Sequence, residues 1–262
     1  MEGQRSEAIV DGRRLEVLEY RAADGGSGRP AIVMLHEGLG SISMWRDFPE
    51  RLATATRGRV LAYSRYGHGR SDAVSEPRTV EFMHHEGEVV LPELLQRFGV
   101  RSPVLLGHSD GGSIALLYAA ARPDAVKALI LEAPHVFVED LTVKSIRSLR
   151  DAYEGAGLRE KLARHHEHPD QMFRAWTGIW LDAAFHSWNI KDRLKAIRCP
   201  LLLIQGEDDR YGTRAQLDAI SSGVATAEVR ILPDCGHSPH RDQPETVLAA
   251  ITGFVNRLNG LD

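Results

Sequence analysis

Apolar and polar positions recur with two periods along the chain. Residues 7–20 alternate one by one and carry Asp11-Gly12, a two-residue hairpin signal, so they predict an antiparallel edge pair. Residues 31–35, 60–63, 126–131, 200–205 and 227–232 are short, mostly apolar runs, which predict strands buried on both faces. Helical spacing predicts helices over 45–55, 79–98, 213–220 and 244–258. In the second, Val89, Val90, Leu94, Leu95 and Phe98 form the inner face, and Pro92 kinks or divides it. In the last, Pro244 stands near the first turn. The run Gly25-Gly26-Ser27-Gly28 predicts a flexible loop.

Strands alternating with helices predict an α/β fold with a mostly parallel, doubly wound sheet. One segment breaks the rhythm. From His135 to about Ile197 there is no buried-strand pattern, while Ile146, Leu149 and Tyr153, and again Trp176 and Trp180, keep helical spacing. This predicts a helical cap over 135–196, inserted between core segments 1–134 and 197–262. The aromatic residues Trp176, Trp180, Phe185 and Trp188 serve either as the cap's own core or as walls of a substrate pocket. Trp176 and Trp180 are the candidates for the pocket.

Composition narrows the class. The 262 residues are 43% hydrophobic and 26% charged, with a formal net charge of -4, as in a soluble globular protein. That balance lacks the basic face a nucleic-acid partner would need. The apolar stretch Ile114 to Ala121 falls far short of the roughly 18 residues of a membrane span, and residues 1–7 carry no apolar signal region. The expectation is a cytoplasmic protein that meets a small-molecule substrate, with a homodimer left open. Cys199 and Cys235 are too few for a disulfide framework and read as reduced, semi-buried thiols. A catalytic Cys235, two residues before His237, is the alternative. His84-His85 and His165-His166-x-His168 read as solvated helix surface rather than as zinc ligands. No metal or cofactor is expected.

The chemistry concentrates at Gly107-His108-Ser109-Asp110-Gly111, between the apolar run Val104-Leu105-Leu106 and a helix-forming run. This is strand, sharp turn, helix around a G-x-S-x-G pattern. It lifts the Ser109 hydroxyl to a helix N-terminus, where developing negative charge is favoured. A serine hydroxyl is a weak nucleophile and needs a base, and the base needs an orienting acid. Candidates follow in chain order. Residues 202–209 are a strand ending in Gly206 and an acidic cluster, and residues 231–237 are a strand running into a loop with His237.

The elbow, the loop from Arg65 to Ser71, Gly206-x-x-Asp209 and Gly236-His237 before a final helix together resemble the α/β-hydrolase superfamily, in its lidded serine-hydrolase branch, over nearly the whole chain. The resemblance implies Ser109 as nucleophile, His237 as general base and acid, and Asp209 as orienting carboxylate. Asp208 is the alternative acid. His240, which lacks a preceding glycine, is the alternative base and otherwise a loop or surface residue. An oxyanion hole is implied from the Asp110 N–H and one N–H of the loop at 36–40. The family usually has His-Gly-x there. This chain has His36-Glu37-Gly38-Leu39, so the second donor lies between Gly38 and Leu39, with Leu39 preferred. Glu37 is either loop surface or part of the pocket, where it would disfavour anionic substrates. The Asp110 side chain is expected to point away and cap the elbow helix. Arg65 and His68 match a structural loop, with Arg65 anchoring backbone.

A serine at the elbow's centre sets aside the dehalogenases and epoxide hydrolases of the superfamily, which carry aspartate there. The implied activity is hydrolysis of a small carboxylic ester, lactone or thioester. The alternatives are a carbon–carbon hydrolase of vinylogous diketone acids, whose glycine-rich loop Glu37-Gly38-Leu39 matches poorly, a cofactor-free haloperoxidase-like side reaction, and a non-catalytic ligand receptor.

Overall fold

The computed structural model describes residues 3–21, 28–155, 157–258 and 260. Strands β1 (Gln4–Val10) and β2 (Arg13–Tyr20) form the expected hairpin, with Val10 opposite Arg13. Asp11 and Gly12 both have positive φ, 50° and 70°, as a two-residue primed turn requires. Gly25, Gly26 and Ser27 of the glycine-rich loop lie outside the described residues.

The remaining strands are β3 (Ile32–Leu35), β4 (Val60–Tyr63), β5 (Val104–His108), β6 (Ala128–Glu132), β7 (Leu201–Gly206) and β8 (Ala227–Leu232). They complete an eight-stranded sheet in the order β1-β2-β4-β3-β5-β6-β7-β8, parallel from β4 to β8. Side chains alternate between two buried layers. Val33, Leu35, Leu105, Leu129 and Leu203 face one core, and Ile32, Met34, Leu106, Ile130 and Leu202 face the other. The second core is covered by α1 (Phe48–Thr56), which follows a 3-10 turn at Ile42–Trp45, and by the last helix.

The helix expected over 79–98 is interrupted. It runs as α2 (Phe82–His85), a π turn at Glu86–Val90 and α3 (Leu91–Arg97). Pro92 has no N–H to give the Glu88 carbonyl, which accepts instead from Arg122 Nη2 at 3.1 Å. The extra residue of the π turn rotates Val89 outward, so this expected core residue is 43% exposed. Helix α4 (Asp110–Ala121) is buried over nearly its whole length, as a helix apolar on all sides must be.

Three helices, α5 (Asp140–Asp151), α6 (Leu158–Ala163) and α7 (Pro169–Trp180), with 3-10 turns at Ala183–Ser187 and Lys191–Ala196, stand between β6 and β7. Tyr153 stacks on Phe173 with centroids 3.8 Å apart, and Phe185 stacks on Trp188 at 5.4 Å, and these rings are continuous with the core on one face of the sheet. Helices α8 (Arg214–Gly223), α9 (Pro239–Asp242) and α10 (Pro244–Leu258) complete the chain. Strand β8 departs from expectation. It is the sheet's last strand, among the described residues no strand pairs with its outer edge, and Val229 is 43% exposed. Among the described residues no helix is long and apolar enough to cross a membrane.

Candidate active site

The site grows from the end of β5. Ser109 takes φ 53° and ψ −118°, a conformation that L residues rarely adopt and that the surroundings must enforce. Enforcement comes from close approach. A Cβ on Gly107 would lie 2.6 Å from the Gly111 carbonyl carbon, and one on Gly111 would lie 2.6 Å from the Leu35 carbonyl carbon. The Ser109 N–H donates to the Glu132 carbonyl at 2.9 Å, and its own carbonyl accepts from Gly112 and Ser113, at 2.8 and 3.1 Å.

The loops after β7 and β8 bring the other two residues to this point. His237 Nε2 lies 3.0 Å from Ser109 Oγ, and His237 Nδ1 lies 2.9 Å from each carboxylate oxygen of Asp209. An ionised carboxylate only accepts, so Nδ1 carries the proton and Nε2 is left to accept from the serine hydroxyl. Asp209 is fixed in turn. Its Oδ1 accepts the N–H of Tyr211 at 2.8 Å, and Oδ2 accepts from Gln205 Nε2 at 3.2 Å. Burial pushes the Asp209 carboxyl up, but His237 and the Tyr211 N–H outweigh it and hold the group below its usual range. Asp208, the alternative acid, is exposed.

Two histidines missed as positioning groups frame His237. His108 Nε2 donates to the His237 carbonyl at 2.7 Å. His240 is not a surface residue. It is buried on α9, with Nδ1 2.7 Å from Glu132 Oε2, which also accepts the His240 N–H at 3.1 Å. Its ring is turned onto a carboxylate at the end of β6, while His237 takes the place beside Ser109. The only advance signal was the presence of histidines flanking the elbow and the last loop.

The loop at 36–40 is pinned from behind. The Glu37 carbonyl accepts from Arg65 Nη2 at 2.8 Å, so Arg65 anchors backbone here. His68 Nε2 lies 3.0 Å from the Gly38 carbonyl oxygen. His166 Nε2 donates to the Leu39 carbonyl at 2.9 Å, while its Nδ1 accepts from the Gly69 N–H at 2.9 Å. The reading of His166 as solvated surface is therefore corrected: it is buried between two loops of the core. Because a peptide is planar and trans, fixing the Gly38 carbonyl also fixes the Leu39 N–H on its opposite side. That N–H donates to Oε2 of Glu37 at 2.8 Å. The Asp110 N–H stands at the first position of α4, where no intrahelical partner exists.

Asp110 differs from expectation too. Its side chain is buried and faces the cap rather than closing the helix end. Oδ2 accepts from Trp176 Nε1 at 3.0 Å and lies 3.9 Å from Arg65 Nη2, while Oδ1 has no hydrogen-bond partner. Burial pushes this carboxyl up, against the pull of Arg65 and Arg78. A cavity of about 190 Å³ lies between the elbow and the cap. Ser109, His237, Glu37, Leu39 and Asp110 line its core side, and Ile146, Leu149, Trp176 and Trp180 its cap side. Phe185 and Trp188 do not line it.

Neither thiol is poised for chemistry. Burial, and for Cys235 nearby carboxylates as well, pushes both Cys199 and Cys235 up to about 11. Among the described residues no group of three or more His, Cys, Asp or Glu is placed to hold a metal ion.

An open α/β sheet with a serine on a strained strand-to-helix turn, facing a histidine–carboxylate pair, defines a class of fold and site. Residues 32–250 match the family model described as the alpha/beta hydrolase family, and the chain belongs to that family. It is similar to the sn-1-specific diacylglycerol lipase of Mus musculus, 26% identical over 91% of this chain and 85% of that protein. It is also similar to the 2-hydroxy-6-oxononadienedioate/2-hydroxy-6-oxononatrienedioate hydrolase of Klebsiella pneumoniae, 23% identical over 92% of each. Among solved structures, the enol-lactonase of Burkholderia xenovorans aligns with a TM-score of 0.75 and 21% identity, covering 96% of this chain and 100% of that one.

Proposed function

We propose that this chain hydrolyses a small carboxylic ester, lactone or thioester through an acyl-enzyme on Ser109. The observation that carries this is the 3.0 Å contact between Ser109 Oγ and His237 Nε2, with Asp209 on the far side of the ring. In this reading Ser109 attacks the carbonyl carbon while His237 takes its proton. The oxyanion rests on the Asp110 N–H and on the loop at 36–40. His237 then protonates the leaving alkoxide, thiolate or ring oxygen, and water, activated by the same imidazole, releases the acid. Asp209 keeps the imidazole in the tautomer that accepts at Nε2.

Relatives named as a lipase and an enol-lactonase are in line with acyl–oxygen cleavage. The relative named for dienedioate and trienedioate substrates keeps the second reading, a hydrolase of diketone acids, in view. That reading is disfavoured by a cavity lined by Glu37 and Asp110 and, among the described residues, by no lysine or arginine. A receptor would have no need of the serine–histidine–aspartate geometry.

The test is covalent. A fluorophosphonate is expected to modify Ser109 and no other residue, and Ser109→Ala is expected to abolish both labelling and p-nitrophenyl acetate hydrolysis. A folded protein that takes no label at Ser109 would overturn the proposal.

A further inference from the structure

Strand β8 ends the sheet, and its backbone shows which groups the outer edge presents. The Leu201 N–H donates to the Thr226 carbonyl at 3.4 Å, and the Glu207 N–H to the Leu232 carbonyl at 2.9 Å. Backbone groups alternate in direction along a strand, so the even-numbered residues of β8 turn theirs to β7. Val229 and Ile231 turn their N–H and C=O the other way, to the edge where among the described residues no strand pairs. Side chains alternate as well. Glu228 and Arg230 stand opposite Leu202 and Ile204 and share the face that carries α10, while Val229, opposite Leu203, stands on the other face. Residues 228–230 are all exposed. An unpaired backbone row beside an exposed valine is a template for another strand.

The charges say which strand fits. Arg257 Nη2 holds Glu228 at 2.8 and 3.0 Å, while among the described residues Arg230 has no carboxylate within ion-pair distance. A carboxylate has about four lone-pair sites, so Glu228 has room for a second arginine. A second copy, related by a two-fold axis normal to the sheet, offers the same strand running antiparallel. Opposed residues must point to the same face, so the axis passes at a residue and not between two. At Glu228 it would set two glutamates face to face, and at Arg230 two arginines. At Val229 it sets Glu228 opposite Arg230, twice over, and Ala227 opposite Ile231. Unlike charges directly opposite stabilise a pair of strands, and like charges destabilise it. In this register the two Val229 residues also exchange both backbone bonds, which their outward N–H and C=O permit. The other edge of the sheet has no such surplus. On β1, Arg5 is taken by Glu16 and Glu7 by Arg14 within the chain.

We infer that the outer edge of β8 is the interface of a homodimer, in which two copies pair antiparallel about Val229 and their sheets become one. The inference is independent of the chemistry at Ser109.

Sedimentation of the full chain tests this, with far-ultraviolet circular dichroism as the check on folding. The unmodified chain is expected to sediment as a dimer. Val229→Pro removes an N–H that takes no part in the ladder with β7, a loss that an edge strand tolerates, and is expected to give a folded monomer. Arg230→Glu sets acid against acid at both ends of the contact and is expected to raise the dimer dissociation constant about a hundredfold. Glu228→Lys sets base against base and is expected to do the same. Mixing these two charge variants restores unlike pairs at both places, so a one-to-one heterodimer is expected where each alone is monomeric. A merely structural role for either side chain would not produce that rescue. An unmodified chain that stays monomeric would overturn the inference. So would a dimer that survives Val229→Pro and Arg230→Glu, since the contact would then lie elsewhere, or a mixture that stays monomeric.

Discussion

The indole nitrogen of Trp176 donates to Oδ2 of Asp110 across 3.0 Å, which joins helix α7 of the cap to the residue directly after Ser109. This bond removes one of the two oxygens of a buried carboxylate from the unpaired state. Trp176→Phe keeps the apolar bulk and deletes the donor. It is expected to lower stability by about 1–3 kcal/mol, the usual cost of stranding a buried polar group. Urea denaturation measures it, and an unchanged midpoint would show that the bond carries no stability.

Asp209 and Asp208 are adjacent in sequence, yet only Asp209 meets His237. Asp209→Asn is expected to reduce kcat on p-nitrophenyl acetate by about 10⁴-fold, by allowing the wrong imidazole tautomer. Asp208→Asn is expected to leave kcat where it was. Comparable losses in the two variants would mean that the orienting acid has been misassigned.

His240 and Glu132 form a pair in which both side chains are almost fully buried. His240→Phe removes the ring donor to that carboxylate, which keeps the backbone N–H of residue 240, and is expected to cost about 1–3 kcal/mol. Fluorophosphonate should still reach Ser109 in whatever fraction remains folded. Loss of labelling in folded protein, with stability retained, would point to His240 as the base.

Stability should also respond to acid through the buried histidines. Burial holds His36 and His108 well below the usual 6.5, assisted by Arg65 at the first and His240 at the second. Burial also pushes His135 and His166 down to about 4. Each is neutral when folded and binds a proton near 6.5 when unfolded, so its contribution is whole above that pH and is lost as pH falls toward 4. Each such proton weights the slope by about 1.4 kcal/mol per pH unit. Glu86 and Asp110, raised by burial, bind protons in the folded chain and offset part of the loss at the acid end. The denaturation midpoint should be level between about pH 7 and 8 and fall between 6.5 and 4, less steeply in His166→Gln. A level midpoint across that range would contradict the assignment.

The sheet was legible because its strands are short apolar runs bounded by glycine and polar loops, and the elbow because its glycines are demanded by backbone contacts only a few residues away. Val229 was misread for a reason outside its own segment: a strand's sequence does not say whether a neighbour lies beyond it. Val89 turned outward because one π turn shifts the helical phase, which periodicity alone does not register. The misreadings of Asp110, His166 and His240 share a cause. Each side chain is placed by a partner far away in sequence, namely Trp176, Gly69 and Glu132. Glu37 stood out in the sequence as a departure, but its return onto the N–H of Leu39 depends on the Gly38 peptide being held by His68.

Gly38 has a consequence for engineering. A Cβ built there would run into the indole of Trp176, so the loop below and the helix above are cut to one another's shape. Transplanting the loop at 36–40 into a relative with a different lid, or swapping the lid while keeping the loop, would leave a gap or a collision over the serine. The two pieces form a single cassette, and altered selectivity should be sought by exchanging them together.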